Sequence, residues 1–82
     1  MSYTVYILHS ERLDKFYKGY TSDLESRINR HNSGYERFTK CGIPWKLLWA
    51  IDKPTRVEAM ELERKLKNMN KQKLIAFMEK YA

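Results

Sequence analysis

Residues 3–8 (YTVYIL) and 15–20 (KFYKGY) are two short runs of aromatic and β-branched residues, separated only by a polar stretch around residues 10–14. Runs of that kind favour strands, and two so close together pair as an antiparallel hairpin. With 82 residues the chain makes one small domain (1–82) with one modest core, so the remainder must fold onto that hairpin.

The next segment, Ser22-Asp23-Leu24-Glu25, reads as a capping box. Its serine hydroxyl can accept from the Glu25 amide, which starts a helix over about residues 23–31. Asn32-Ser33-Gly34 stops it. Residues 35–44 have no clear period and contain Gly42 and Pro44, as a loop would. Residues 45–51 (WKLLWAI) form a third strand, apolar enough to be buried, with Trp45 and Trp49 expected on one face. A second capping box, Thr55-Arg56-Val57-Glu58, opens a helix with an apolar stripe at Ala59, Leu62, Leu66 and Met69. After a break at 68–70, residues 71–81 make a last helix with Leu74, Phe77, Met78 and Tyr81 on one side. The expected order is ββαβαα, an α/β (α+β) fold with a small three-stranded antiparallel sheet flanked by helices.

The net charge is +6, with a sequence pI of about 9.6. On so small a surface that surplus favours a polyanionic partner, nucleic acid ahead of an anionic membrane. Cys41 is the single cysteine, so an internal disulfide is excluded and no Cys/His cluster suggests structural zinc. There is no charged leader with an apolar run, nor a stretch of ~20 apolar residues, so the expectation is a cytoplasmic protein without a membrane span.

Side chains alternate along strands, so Thr4, Tyr6 and Leu8 share one face of the first, and Tyr17 and Gly19 one face of the second, opposite Lys18, which is expected at the surface. In the right register Tyr6 and Tyr17 become neighbours. Arg27 and His31 are four apart and stack on one side of the first helix, beside Leu24 and Ile28. Two phenols, a guanidinium and an imidazole thus converge near the sheet. Each has a plainer reading: core aromatics for the tyrosines, a solvated helix residue for Arg27, a helix-terminal histidine favoured by the dipole for His31.

This ordered set resembles the GIY-YIG nucleases. Thr4-Val5-Tyr6 stands where those enzymes carry Gly-Ile-Tyr, and Tyr17-Lys18-Gly19 where they carry Tyr-Ile-Gly. The stretch from Gly19 to Arg27 is similar as well and ends on the family's catalytic arginine. His31 falls where members place a histidine or tyrosine. Glu58-Ala59-Met60-Glu61-Leu62-Glu63 is similar to the helix that supplies the metal-binding glutamate, at Glu63. The chain resembles in particular the small standalone members, often described as excinuclease-like from similarity to the N-terminal domain of excinuclease C. It departs from the pattern at Thr4 and after the glutamate helix, where Asn68 and Asn70 are nearest to the family's asparagine.

The resemblance implies a metal-dependent endonuclease that hydrolyses nucleic-acid phosphodiester bonds, in DNA repair or processing, with Mg²⁺ or Mn²⁺ on Glu63. Arg27 would clamp a phosphate oxygen. A phenol, from Tyr6 or Tyr17, would position or deprotonate the attacking water. A free phenol titrates near ~10, so a neighbouring cation must help, and His31 can accept its proton. Tyr35, Arg37 and Lys40 interleave an aromatic with charges, and Arg64, Lys65, Lys67, Lys71 and Lys73 form a basic cluster; both suit a nucleic-acid backbone, DNA rather than RNA. A partner protein would supply specificity. The alternative is a non-catalytic nucleic-acid-binding module that keeps the fold, with Glu63 merely the i+4 partner of Lys67.

Overall fold

The computed structural model describes residues 2–34, Arg37 and residues 39–81. Strands β1 (Tyr3–Ser10) and β2 (Lys15–Thr21) form the antiparallel hairpin, and β3 (Trp45–Lys53) pairs antiparallel with the other side of β1. The order β2-β1-β3 leaves the most buried strand central and makes β2 and β3 the edges. At the hairpin turn Asp14 takes the left-handed conformation (φ 49°), which a short polar side chain tolerates. Its carboxylate accepts from Lys71 Nζ at 2.6 Å and lies 3.2 Å from His9 Nε2. The Lys71 hydrogen bond, then that of His9, holds the Asp14 carboxyl below the ordinary carboxylate value.

Helices α1 (Leu24–Asn32), α2 (Arg56–Lys67) and α3 (Lys71–Lys80) complete the order ββαβαα, with a single 3₁₀ turn (Lys40–Gly42) before β3. Helix α1 covers one face of the sheet, where Leu24 and Ile28 pack on Tyr6, Leu8 and Trp45. On the other face Ala59 and Leu66 of α2 and Leu74 of α3 pack on Val5, Ile7 and Trp49. With both faces covered, Val5, Tyr6, Ile7 and Leu8 are buried in succession rather than alternately.

Three local expectations are corrected. The α1 cap is Asp23, whose carboxylate accepts from Ser26 N at 3.2 Å, one residue later than the expected Ser22. A carboxylate and a hydroxyl compete for the same role, and aspartate also suits the positive end of the dipole. The tryptophans do not share a face. Ile7 pairs with Trp49 but Leu8 with Leu47, so β3 carries an extra residue, Leu48. One inserted residue turns the following side chains over, placing Trp49 under α2 and α3 and Trp45 under α1. Lys18, expected at the surface, is half-buried, opposite Ile7 on the α2 side.

Candidate active site

The hairpin register sets Tyr6 opposite Gly19 and Leu8 opposite Tyr17, so the two tyrosines are diagonal neighbours on the α1 face. Their rings stack with centroids 6.3 Å apart at 27°. The Tyr6 ring lies over Gly19: a Cβ there would stand 2.7 Å from Tyr6 Oη and 2.8 Å from its Cζ. This position needs glycine for room rather than for an unusual φ.

His31, in the last turn of α1, is buried between the tyrosines and the loop leading to β3. Its Nε2 is 3.2 Å from Tyr6 Oη and its Nδ1 3.2 Å from Thr39 Oγ1. Either imidazole tautomer completes this chain, because each hydroxyl can donate or accept. The His31 ring also meets the Tyr17 ring at 4.6 Å between centroids. Thr39 is itself held, its carbonyl accepting from Trp45 Nε1 at 2.6 Å. Asn32 locks the same corner, its side chain donating to Trp45 O (3.1 Å) and accepting from Trp45 N (2.7 Å). Tyr6 is 1% exposed, whereas Tyr17 is only half-buried and so is the phenol within reach of solvent.

Arg27 lies one helical turn before His31 on the same side of α1. It lines a groove of about 260 Å³ with Tyr3, Tyr20, Thr21, Ser22 and Arg56. There Arg56 Nε donates to Tyr20 Oη at 3.3 Å. Among the described residues neither arginine has a carboxylate partner. Neither Arg56 nor Tyr20 stands out as a site residue in the sequence. The available signal was a cation at the first position of a helix, where the macrodipole disfavours it.

Glu63 occupies a different position. It lies on α2, whose buried residues pack on the face opposite Tyr6 and Tyr17. Its carboxylate is mostly covered and pairs with Lys67 Nζ at 3.0 Å, the i,i+4 contact. On β2, burial pushes the Lys18 ammonium down, and the nearby Lys67 charge adds to that. The structure therefore brings Tyr6, Tyr17, Gly19 and His31 into contact, sets Arg27 one turn away on the groove, and leaves Glu63 across the sheet. Strand β2, which carries Tyr17 and Gly19, is an edge of the sheet.

A single mostly covered carboxylate is a sparse metal site, and among the described residues no group of three or more His, Cys, Asp or Glu gathers. It suits a hard cation such as Mg²⁺, which takes one or two carboxylates and fills its other positions with water and substrate phosphates. Lys67 must give way for it. Glu58 is engaged in the α2 cap, with Thr55 Oγ1 accepting from Glu58 N at 3.2 Å and donating to Glu58 Oε2 at 3.3 Å. Asn68 and Asn70 cap helices, Asn70 accepting from Lys73 N at 2.9 Å. Arg37 and Lys40 are exposed, and Lys67 is exposed while paired with Glu63. Tyr35 lies outside the described residues.

Residues 2–76 match the GIY-YIG catalytic domain. The chain belongs to the GIY-YIG family. It is 45% identical over 76 residues to the UPF0213 protein YsiG of Lactococcus lactis, covering 88% of this chain and 71% of that one. It is 34% identical over 67 residues to the UPF0213 protein YazA of Bacillus subtilis, covering 80% and 68%. The solution NMR structure of the UPF0213 protein BH0048 from Bacillus halodurans superposes with a TM-score of 0.63 at 31% identity, covering 96% of this chain and 84% of that one. These relatives' names carry no activity, but the GIY-YIG domain is a nuclease fold, which implies a nucleic-acid substrate and typically a divalent metal. Among the described residues no helix is long and apolar enough to cross a membrane.

Proposed function

We propose that this GIY-YIG domain is an endonuclease that hydrolyses phosphodiester bonds in DNA, in processing or repair, in the cytoplasm where its substrate is. The observation that carries this reading is the contact of Tyr17 with the buried Tyr6–His31 pair, one helical turn from an arginine that has no carboxylate partner among the described residues. A fold-keeping binding module has no need of that polar cluster inside its core.

Tyr17, the accessible phenol, orients the attacking water. Tyr6 and His31 hold its ring in place, Thr39 fixes the imidazole from the other side, and the catalytic pair gains rigidity from the buried hydrogen bonds. Arg27 donates to a non-bridging phosphate oxygen and stabilises charge as it develops there. Glu63 is the residue that would hold Mg²⁺ or Mn²⁺, which when bound supplies charge stabilisation at the phosphate and the leaving oxygen. Arg37, Lys40 and Lys67 contact the backbone outside the reacting bond, and a partner protein narrows the choice of substrate. Purified protein incubated with single-stranded, double-stranded and branched DNA, and with RNA, should cut DNA with Mn²⁺ or Mg²⁺ and not with EDTA. Binding without cutting under every metal would favour the non-catalytic module.

A further inference from the structure

We propose that Arg56, positioned by the Tyr20 hydroxyl, seats a second backbone phosphodiester in the groove it shares with Arg27, a few nucleotides along the strand from the one being cut. The proposal rests on the nuclease reading only in taking nucleic acid as the ligand. Two guanidiniums from different helices line one groove, Arg27 from α1 and Arg56 from α2. Two cationic side chains lining one small groove make it attractive to an anion.

The nearby carboxylates are committed elsewhere. Asp23 caps α1, Asp52 accepts from Thr4 Oγ1 at 2.7 Å, and Glu58 is engaged by Thr55. Arg56 commits its Nε to Tyr20 Oη, which leaves the outer fork of the guanidinium for the two-point contact that phosphate oxygens accept. Tyr20 is braced in turn by Tyr3, edge-on at 6.5 Å between centroids. Arg56 is also at the first residue of α2, where a cation opposes the helix dipole. Arg56 and Glu63 are seven apart on α2, so they share a helix side about 10 Å apart, roughly three nucleotide steps at ~3.4 Å rise. One strand can therefore run along α2 from Glu63 to the groove.

The test is binding of a short fluorescein-labelled DNA duplex, followed by anisotropy in EDTA so that cleavage plays no part. Arg56→Ala is compared with Arg12→Ala, an equal loss of charge at the hairpin turn, at the other end of β1 and β2. The expected result is about a tenfold loss of affinity for Arg56→Ala. The slope of log affinity against log salt should also fall by about 0.9, one phosphate contact. Arg12→Ala should change both much less, and Tyr20→Phe should weaken binding while leaving the ring packing intact. The melting temperature of Arg56→Ala should hold or rise, since a cation leaves the wrong end of a helix. Equal effects from Arg56 and Arg12 would overturn the groove while leaving the nuclease reading intact. An Arg56-dependent loss in a protein that cuts nothing would overturn the nuclease reading and keep the groove. A wild type that does not bind DNA at low salt would overturn both.

Discussion

The Tyr6 phenol crosses Gly19 so closely that a single added methyl group would lie 2.7 Å from its oxygen. The glycine of the second strand motif thus serves the tyrosine of the first, and the Tyr6–His31 hydrogen bond depends on it. Gly19→Ala should push the ring off His31 and destabilise the fold by about 1–3 kcal/mol, the usual cost of overpacking. Urea unfolding measures this. An unchanged midpoint would mean that Tyr6 has another place to go.

Thr39→Val removes the hydroxyl bonded to His31 Nδ1 while keeping the side-chain shape. Leaving a buried polar partner short of that bond should cost about 1–3 kcal/mol. If Thr39 positions the imidazole, cleavage should fall by more than this stability loss explains at temperatures where the variant is folded. A rate that tracks only the folded fraction would reduce Thr39 to a structural role.

Lys67 competes for the carboxylate of Glu63. Lys67→Met should therefore lower the Mn²⁺ concentration needed for half-maximal cleavage. The shift should be a few-fold, since an ion pair with one exposed partner contributes only about 0–1 kcal/mol. DNA affinity should fall at the same time, because a backbone contact is lost. A metal requirement that rises instead would mean that Lys67 orients Glu63 rather than blocking it.

The Asp14 carboxyl is held below its ordinary value of 3.8, first by the Lys71 hydrogen bond and then by that of His9. A depressed carboxyl stabilises the folded state fully above the unfolded value and loses that contribution as pH falls through the folded one. The tie between hairpin turn and α3 should hold at neutral pH and weaken only below about pH 4. Asp14→Asn should flatten the acid limb of the stability curve. The comparison is by thermal melts against pH, and identical acid limbs would remove Asp14 from the account.

Much of the fold was legible because its signals are local. The hairpin follows from two β-rich runs, and α2 from Thr55 and the Ala59–Leu66 spacing, which do cap and pack as that spacing implies. The bulge at Leu48 was not legible. Nothing in WKLLWAI marks an inserted residue, and a regular strand would set Trp45 and Trp49 together. The run reads as buried, yet only its tryptophans are, and Leu47, Leu48 and Ile51 lie exposed on this edge strand. Asn32 reads as a helix stop in sequence, yet its amide works over a distance, pairing with the Trp45 backbone. At the site, the period of two in the strands and of four in α1 sufficed to bring Tyr6, Tyr17 and His31 together. The groove was hidden because Arg56 and Tyr20 are 36 positions apart and meet only through the packing of α2 on β2.

Arg27→Lys keeps the charge but loses the planar fork that meets two phosphate oxygens. Cleavage should drop about 10²–10³-fold, the scale for losing one preorganised donor to a developing charge. Stability should change by no more than about 0.5 kcal/mol, as for positions without a buried network. Wild-type cleavage in the lysine variant would remove Arg27 from the mechanism.

The most direct measurement sets DNA binding and DNA cleavage side by side for the wild type and Glu63→Gln. An amide is a poor ligand for a hard dication, while the basic surface that binds DNA is unchanged. The variant should bind as tightly as the wild type, or slightly tighter with one negative charge gone, and its cleavage should fall by orders of magnitude and not return with excess Mn²⁺. Full cleavage by Glu63→Gln, or a wild type that binds DNA and cuts it with no metal, would contradict the account.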